Sequence, residues 1–455
     1  MTLEDYLHQN AQRYPSKVAV ISGSNRLTYA QLWQEVRQFS MSLYHDDSIH
    51  CFRSSQDTTF LITYLATHLS GRVAAPLEQA MPEPLFREVK ARLQTSDIPD
   101  GIADILYTTG TTGQSKGVMV SHRALIADAE NLIAGQGFSH DLVFIISGPL
   151  NHIGSLSKIW PCIIQGATIL IIEGMKDLNA FFRALDTPPS SLHYPRTPVP
   201  PHPRTPENPK FATFLVPATI RMLLQFAPDR LASYAHKLDF IESGAAPLPQ
   251  TDMHRLCHLL PSTRLYNTYA STETGIIATY NYNDGRCMVN CLGRPMPHSR
   301  VHITPAGLIA CQGDTLMSGY AGDPELTATV LRDDTVFTSD VGTIDAEGML
   351  HLSGRATDVI NVGGFKVSPV EVESAAMSSP QVRDCVCISA PHPVTGRALK
   401  LLVETPSGQI LDKRTLARYL AERLEPYKVP MLYDQVDTIV RTYNGKLDRK
   451  YYLNS

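Results

Sequence analysis

A loop rich in hydroxyl groups and glycine is the part of this sequence best suited to chemistry. Residues 107–117 hold five Ser or Thr side chains, three glycines and one lysine. Backbone N–H groups and hydroxyls can wrap a polyphosphate, and the lysine adds a positive charge. The glycines permit positive φ angles and close approach. The residues predicted to contact phosphate are Thr108, Thr109, Gly110, Thr111, Thr112, Gly113 and Lys116.

The loop fits neither of the two common phosphate-binding patterns. A Walker loop needs a second glycine five positions after the first, but Ser115 follows Gly110 at that spacing, and no Gly-x-Gly-x-x-Gly occurs. The apolar run Ile102–Leu106 predicts a buried strand before the loop, and the stretch from His122 predicts a helix after it. These flanking elements argue against a flexible Ser/Thr/Gly linker, the structural alternative.

The loop resembles the phosphate-binding signature of the adenylate-forming superfamily of acyl-CoA synthetases, peptide-synthetase adenylation domains and firefly-type luciferases. A second motif of this superfamily, Tyr-Gly-x-Thr-Glu, is matched by Tyr269, Thr272 and Glu273, with Ala270 in place of glycine. The resemblance implies that Tyr269 packs on adenine, Thr272 contacts the α-phosphate and Glu273 binds Mg²⁺, a hard cation that suits a carboxylate. Alternatively, residues 271–274 are a helix-capping sequence.

Two further segments resemble nucleoside-binding elements of the superfamily. The small residues Gly244, Ala245 and Ala246 follow a predicted strand and would let adenine lie on the backbone. Asp340 matches the aspartate that holds the ribose hydroxyls, although Ser339 replaces the usual glycine. One carboxylate can accept hydrogen bonds from two hydroxyls.

Residues 354–373 closely resemble the hinge region of the superfamily. The resemblance implies that Arg355 reaches the ribose or the phosphate. It also implies that Gly363 and Gly364 form a flat wall beside the thiol of CoA or of phosphopantetheine. Thr357 stands where a charged hinge residue is usual, and threonine is stiffer at χ1. The structural alternative for this stretch is a hairpin with a glycine turn.

Lys446 lies in a terminal Arg-Thr-x-x-Gly-Lys-x-x-Arg element and matches the adenylation lysine. A cation there would offset repulsion between a carboxylate and the α-phosphate. His152 resembles the gate of the acyl pocket, with a core histidine as the alternative. Ile153 replaces the aspartate that binds an α-amine, which argues against an amino-acid substrate. Lys158 is expected at the surface, or facing the pocket to pair with a second anionic group.

The composition indicates a sizeable hydrophobic core and does not indicate a strongly charged binding partner. The 455 residues are 43% hydrophobic and 18% charged, with a net charge of −4 and no long basic run, so binding to nucleic acid or to an anionic membrane is not indicated. The N-terminus lacks a signal-peptide core and no stretch is long enough to span a membrane, which predicts a cytoplasmic location. The eight cysteines fit no zinc template and are expected to be free thiols.

The predicted fold is α/β, with a large multi-layered N-terminal domain of mostly parallel sheets over residues 1–355 and a small mobile α+β domain over 356–455. Seven strands alternating with helical stretches carry this prediction: Val18–Ile21, Ile102–Tyr107, Leu142–Ser147, Thr168–Ile172, Ala212–Val216, Asp239–Glu242 and Leu265–Thr268. The proline-rich stretch 186–209 is predicted to be an exposed loop.

Together, the motifs predict an ATP-dependent, AMP-forming acid–thiol ligase that uses Mg²⁺ and joins a small carboxylic acid to CoA. One alternative has the same first step but loads a phosphopantetheinyl carrier protein. Another is a non-catalytic nucleotide-binding relative, suggested by Ala270, Ser339 and Thr357. The chain is expected to be a monomer or a homodimer.

Overall fold

The computed structural model describes residues 1–43, 48–109, 115–175, 177–188, 210–362, 365–392, 396–441 and 447–453. Fourteen of its strands form one sheet, with the order β14-β15-β18-β19-β13-β12-β11-β10-β9-β7-β8-β1-β2 and β17 paired to β18. These strands are β1 Val18–Ser22, β2 Asn25–Thr28, β7 Leu142–Ile146, β8 Thr168–Ile171, β9 Lys210–Leu215, β10 Leu238–Ser243, β11 Arg264–Ser271, β12 Gly275–Asn281, β13 Cys291–Pro295, β14 Ser299–Ile303, β15 Leu308–Gly313, β17 Leu331–Arg332, β18 Thr335–Ile344 and β19 Leu350–Arg355.

The helices of the larger part of the chain cover this sheet and a second one. They are α1 Leu3–Arg13, α2 Tyr29–Ser42, α3 Thr58–Leu69, α4 Glu83–Gln94, α5 His122–Gln136, α6 Ile153–Gln165, α7 Leu178–Leu185, α8 Pro217–Phe226, α9 Pro228–Ser233, α10 Gln250–Leu259 and α11 Pro324–Val330. None of the helices in the described ranges is both long and apolar enough to cross a bilayer.

The central strands of the large sheet are parallel and carry buried apolar runs. β1, β8, β7, β9, β10 and β11 pair in parallel, whereas the strands from β12 onward pair antiparallel. Every residue of β7 and β8 is buried, because helices cover both faces of a parallel sheet. The predicted α/β class is confirmed, and each of the seven predicted strands coincides with an observed one.

The second sheet has five strands in the order β16-β6-β5-β4-β3. They are β3 Ile49–Arg53, β4 Val73–Leu77, β5 Ile102–Thr109, β6 Ser115–Ser121 and β16 Gly319–Tyr320. The predicted strand is therefore β5 and the predicted helix is α5. Between them the chain forms an antiparallel hairpin, because β6 follows the hydroxyl-rich loop before the helix begins. The loop thus connects two strands, and not a strand and a helix.

A smaller C-terminal domain has its own core of buried residues. It contains β20 Ile360–Val362, β21 Phe365–Val367, α12 Pro369–Met377, β22 Asp384–His392, β23 Gly396–Glu404, α13 Lys413–Ala421, β24 Leu432–Gln435 and α14 Arg449–Leu453. Strands β20 and β21 pair antiparallel, and Gly363 and Gly364 between them lie outside the described residues. The boundary at residues 355 and 356 stays a prediction.

One buried cluster of charges lies where α1, α3 and β5 meet. His68 Nδ1 is 3.1 Å from Glu4 Oε1, and His68 Nε2 is 3.0 Å from Asp104 Oδ1. Tyr64 also donates to Asp104, at 2.8 Å. The histidine side chain is fully buried, so each of its ring nitrogens contacts a carboxylate away from water.

The eight cysteines are free, as expected, and all are buried or half-buried. Most of the proline-rich stretch 186–209 lies outside the described residues, which resume at Lys210 after residue 188.

Candidate active site

The two strands that hold the hydroxyl-rich loop bring its ends together. Thr108 pairs with Lys116 across β5 and β6. Of the predicted phosphate contacts, Gly110, Thr111, Thr112 and Gly113 lie outside the described residues. The Lys116 Nζ is 5.3 Å from the centroid of the Tyr320 ring, because β16 pairs with β6 beside it. Lys116 therefore lies over the face of an aromatic ring at the loop end of the hairpin.

Tyr320 also contacts the predicted metal ligand. Its hydroxyl donates to Glu273 Oε1 at 3.1 Å. Burial and the neighbouring Glu273 carboxylate raise the pKa of Tyr320, so its hydroxyl stays protonated and remains a donor. Lys116 and Glu273, which are distant in the sequence, are thus held against one tyrosine.

Glu273 and Thr272 lie in the turn that joins β11 to β12, and both are half-buried. Met317 donates its backbone N–H to the Glu273 carbonyl at 2.9 Å. No helix starts in this turn, so the capping alternative is wrong. Ala270 has no positive φ, which removes the steric reason for a glycine there.

Tyr269, Asp340 and Arg355 form a hydrogen-bonded group. The Tyr269 hydroxyl donates to Asp340 Oδ2 at 2.7 Å, and Arg355 Nε donates to Asp340 Oδ1 at 2.9 Å. Asp340 and Arg355 are paired across β18 and β19. Burial and the Asp340 carboxylate raise the pKa of Tyr269. Because each carboxylate oxygen has a second lone pair, Asp340 can still accept from a hydroxyl of a ligand.

The small residues Gly244, Ala245 and Ala246 follow the carboxyl end of β10, between β9 and β11. Open α/β sheets bind ligands at the carboxyl ends of their parallel strands. A Cβ atom at Gly244 would lie 3.1 Å from the Thr268 carbonyl oxygen and 3.3 Å from the Phe214 ring. A Cβ at this position would therefore need its neighbours to shift by a few tenths of an ångström.

Ala245 has a φ of 67°, in the left-handed region that costs a residue with a Cβ about 1–2 kcal/mol. We expect Ala245→Gly to raise the free energy of unfolding by about 0.5 kcal/mol, since the relieved strain exceeds the added chain entropy. Urea denaturation would measure it. Ala246 has no positive φ, so Ala246→Gly is the matched control and should destabilise by about 0.5–1 kcal/mol. Equal effects of the two changes would contradict a strained Ala245.

His152 is the N-cap residue of α6 and is half-buried, so it lies at the start of that helix and not in the core. Lys158, one and a half turns into α6, is 1% exposed, so the expectation of a surface lysine is wrong. Its Nζ donates to Glu242 Oε1 at 2.8 Å. The lysine therefore already has a carboxylate partner within the protein.

The adenylation-lysine candidate, Lys446, lies outside the described residues, as do Gly363 and Gly364. The two arginines of the same motif are anchored on either side of it. Arg441 Nη2 is 2.7 Å from Asp384 Oδ2, and Arg449 Nη2 is 2.7 Å from Glu373 Oε2. Both ends of the segment that carries Lys446 are therefore fixed to the small domain.

Charged contacts link this segment to the rest of the chain. Arg449 Nε is 3.2 Å from Asp358 Oδ2, in the short helical turn that contains Thr357. Arg221 on α8 is 3.0 Å from Asp384 and 3.5 Å from Asp252. Asp384 thus has one arginine partner in its own domain and one in the larger domain.

Two family models match the sequence. The AMP-binding enzyme model matches residues 82–189 and 207–321, and the AMP-binding enzyme C-terminal domain model matches 371–446. The chain belongs to the AMP-binding enzymes. The first model covers the hydroxyl-rich loop, the small-residue segment and the Tyr269–Glu273 motif of this AMP-binding enzyme, the second ends at Lys446, and Asp340 and Arg355 lie between the two.

Individual relatives are distant. A CoA ligase of Rhodococcus jostii that acts on a methyl-dioxo-octahydro-indenyl propanoyl group is 28% identical, over 77% of this chain and 64% of that protein. A ligase of the same name from Mycobacterium tuberculosis is matched over 66% of its length. The chain therefore spans just under two thirds of these two relatives. A feruloyl-CoA synthase of Amycolatopsis is 25% identical over 96% of each chain.

Solved structures share the fold of this AMP-binding enzyme. ATP-bound MatB from Rhodopseudomonas palustris superposes with a TM-score of 0.83 at 22% identity, covering 99% of this chain and 98% of that one. The o-succinylbenzoate CoA synthetase MenE from Bacillus subtilis, in complex with its acyl-adenylate, superposes with a TM-score of 0.80 at 19% identity, covering 98% and 97%.

Sequence reasoning missed three side chains of this AMP-binding enzyme that shape the site. Tyr320 joins Lys116 to Glu273, Phe214 contacts the glycine before Ala245, and Arg221 reaches the small domain. None of them lies in a recognised motif. Their roles follow from strand pairing and helix packing, which a local pattern does not reveal.

Proposed function

We propose that this protein activates a carboxylic acid with ATP to give an acyl-adenylate and then transfers the acyl group to CoA. The observation that carries the proposal is the convergence on Tyr320 of Lys116, from the phosphate-loop hairpin, and Glu273. Tyr269 lies on β11, four residues before Glu273, and its hydroxyl donates to Asp340. A phosphate-binding cation, a carboxylate for a metal and a polar nucleoside site thereby adjoin one another.

In the first step the substrate carboxylate attacks the α-phosphorus, an oxygen–phosphorus bond forms, and pyrophosphate leaves. Thr272 would contact the α-phosphate, and Lys446 would lie between the two anions and offset their repulsion. Glu273 fits Mg²⁺, because it is a half-buried carboxylate with one oxygen oriented by Tyr320. Mg²⁺ bound there would withdraw charge from the phosphate oxygens.

In the second step the CoA thiol attacks the acyl carbonyl of the mixed anhydride, a thioester forms and AMP leaves. The small domain would rotate about the Thr357 region, so that Lys446 moves away and Gly363 and Gly364 approach the adenylate. One active site would then serve two transition states by exchanging one of its faces.

Pyrophosphate release across aryl, fatty and dicarboxylic acids tests the proposal. Acid-dependent release, followed by thioester formation with CoA, is the expected result. Turnover that needs a phosphopantetheinyl carrier protein in place of CoA would select the carrier-loading alternative. Nucleotide binding without pyrophosphate release from any acid would select the non-catalytic alternative.

A Lys446→Ala variant separates the two half-reactions. We expect pyrophosphate release to fall at least about 100-fold, the usual cost of removing one charge-stabilising group, while transfer from preformed acyl-adenylate to CoA persists. Lys413→Ala is a matched control, because Lys413 is an exposed lysine of the same domain, paired with Asp434. Parallel loss of both half-reactions in Lys446→Ala would contradict the rotation.

A further inference from the structure

A buried ion pair joins Lys158 on α6 to Glu242 on β10. The Lys158 and Glu242 side chains are 1% and 0% exposed, and their charged atoms are 2.8 Å apart. Burying two ions is costly unless further hydrogen bonds satisfy their remaining atoms. In the part of the chain that the structure describes, Glu242 Oε2 is buried and has no hydrogen-bond partner. The protein itself therefore leaves one acceptor of this pair unused.

The pair lies next to Phe214 on β9. Glu242 is in register with Phe214 on β9 and with Tyr266 on β11, and residues in register on parallel strands share one face of the sheet. The Lys158 Nζ is 5.3 Å from the centroid of the half-buried Phe214 ring.

Phe214 also lies close to two segments that carry predicted site residues. A Cβ atom at Gly154 or at Gly244 would approach Phe214 to 3.0 or 3.3 Å. Gly154 follows His152 by two residues, and Gly244 begins the small-residue segment after β10. Phe214 is therefore close both to these two segments and to the Lys158–Glu242 pair.

The charges around Glu242 Oε2 limit what can complete it. A second carboxylate on the substrate would be repelled by Glu242 and would find Lys158 already engaged. An ammonium group would be opposed by Lys158. Asp128 is near Lys158, and burial raises the pKa of Asp128 to about 8, so it adds little charge at neutral pH. A hydroxyl donates one hydrogen bond and adds no charge, whereas an apolar tail leaves the oxygen unpaired.

We propose that the site next to Phe214 selects carboxylic acids that carry a hydroxyl group at the end remote from the carboxylate, with the hydroxyl donating to Glu242 Oε2. Lys158 is a positioning residue that holds the other carboxylate oxygen. The inference rests on the proposed function, because it names the class of acid that the same site activates. It replaces the expectation that Lys158 pairs with an anionic substrate group.

Matched acids test the selection on the wild-type protein. Three series of acids are compared: para-hydroxy and para-methyl benzoates, the corresponding phenylpropanoates, and ω-hydroxy and ω-methyl straight-chain acids. Within each pair the two acids differ only at the remote end, and the three series place that end at different distances from the carboxylate. In the series that fits, kcat/KM for pyrophosphate release should favour the hydroxy acid by at least about 10-fold, as expected for a buried acceptor left unpaired by the methyl analogue. The ω-carboxy and ω-amino acids should be poorer still.

A double variant, Lys158→Met with Glu242→Leu, removes both charges together and so leaves no lone buried ion. We expect its hydroxy-to-methyl ratio of kcat/KM to fall to about 1 or below, because leucine offers no hydrogen-bond acceptor to the hydroxyl. Arg264→Gln with Asp239→Asn is the control, since it removes a half-buried ion pair that involves the same strand, β10. That control should keep the wild-type ratio, whereas a purely structural role of the pair would leave the ratio unchanged in both double variants.

The possible outcomes test this inference and the proposed ligase function separately. Equal activity of the wild-type protein with hydroxy and methyl acids in every series overturns the selection and leaves the ligase function intact. A preference for the ω-carboxy acids overturns it in favour of a dicarboxylic substrate. Absence of pyrophosphate release from every acid overturns the proposed function, and the inference falls with it.

Discussion

Glu273→Gln is expected to lower pyrophosphate release by about 100- to 1,000-fold, the range found when a group that stabilises transition-state charge is removed. The neutral amide keeps the shape of the side chain and can still accept from Tyr320. It removes the negative charge that a divalent cation requires. Release of pyrophosphate at saturating ATP and acid, over a range of Mg²⁺ concentrations, measures the effect.

Tyr320→Phe is the matched control for this change. It deletes the hydroxyl that donates to Glu273 but keeps both the carboxylate and the ring under Lys116. We expect a loss of about 10-fold, the lower end of what one hydrogen bond to a charged group contributes, because Glu273 is half-buried and water can replace the lost donor. If Glu273→Gln cost no more than Tyr320→Phe, the carboxylate charge would not be needed and the metal assignment would be wrong.

His68→Leu is expected to lower the free energy of unfolding by about 3–5 kcal/mol, because breaking a buried ion pair strands the remaining charges. Glu4 and Asp104 would both lose the imidazolium and face an apolar side chain away from water, although Asp104 keeps the Tyr64 hydroxyl. Urea denaturation of the wild type and the variant measures the difference. His8→Leu on α1 is the control, since that histidine is exposed and should cost less than about 0.5 kcal/mol.

The same cluster predicts a pH dependence. Burial lowers the pKa of His68, but the hydrogen bonds and charges of Asp104 and Glu4 outweigh it and raise that pKa from 6.5 to about 10. Because the folded-state pKa lies above the unfolded one, the stabilisation is complete below about pH 6.5 and is lost as the pH rises toward 10. Unfolding measured between these limits should show this loss in the wild type and not in His68→Leu. Identical pH slopes would argue against an imidazolium at this position.

The sequence indicated candidate site residues, whose roles stay predictions, but it did not reveal their surroundings. Tyr269, Glu273 and Asp340 could be proposed because each lies in a short motif that resembles one of the superfamily. Lys158 was misplaced, because its partner Glu242 is 84 residues away and no local pattern reports such a pairing. The chain after the hydroxyl-rich loop was expected to enter a helix directly, but residues 115–121 pair back onto β5. The short apolar run Val118–Val120 gains its strand partner only in the folded sheet.

The arginine that joins the two domains has a consequence for the rotation that we propose. When the small domain turns, Arg221 and Asp384 must part, but neither is stranded: Arg221 keeps Asp252, and Asp384 keeps Arg441. Breaking this contact therefore leaves no ion without an oppositely charged partner, and water replaces the lost ion pair. Because each residue keeps a second ion pair, the two domains can separate and reassociate at every turnover at a small electrostatic cost.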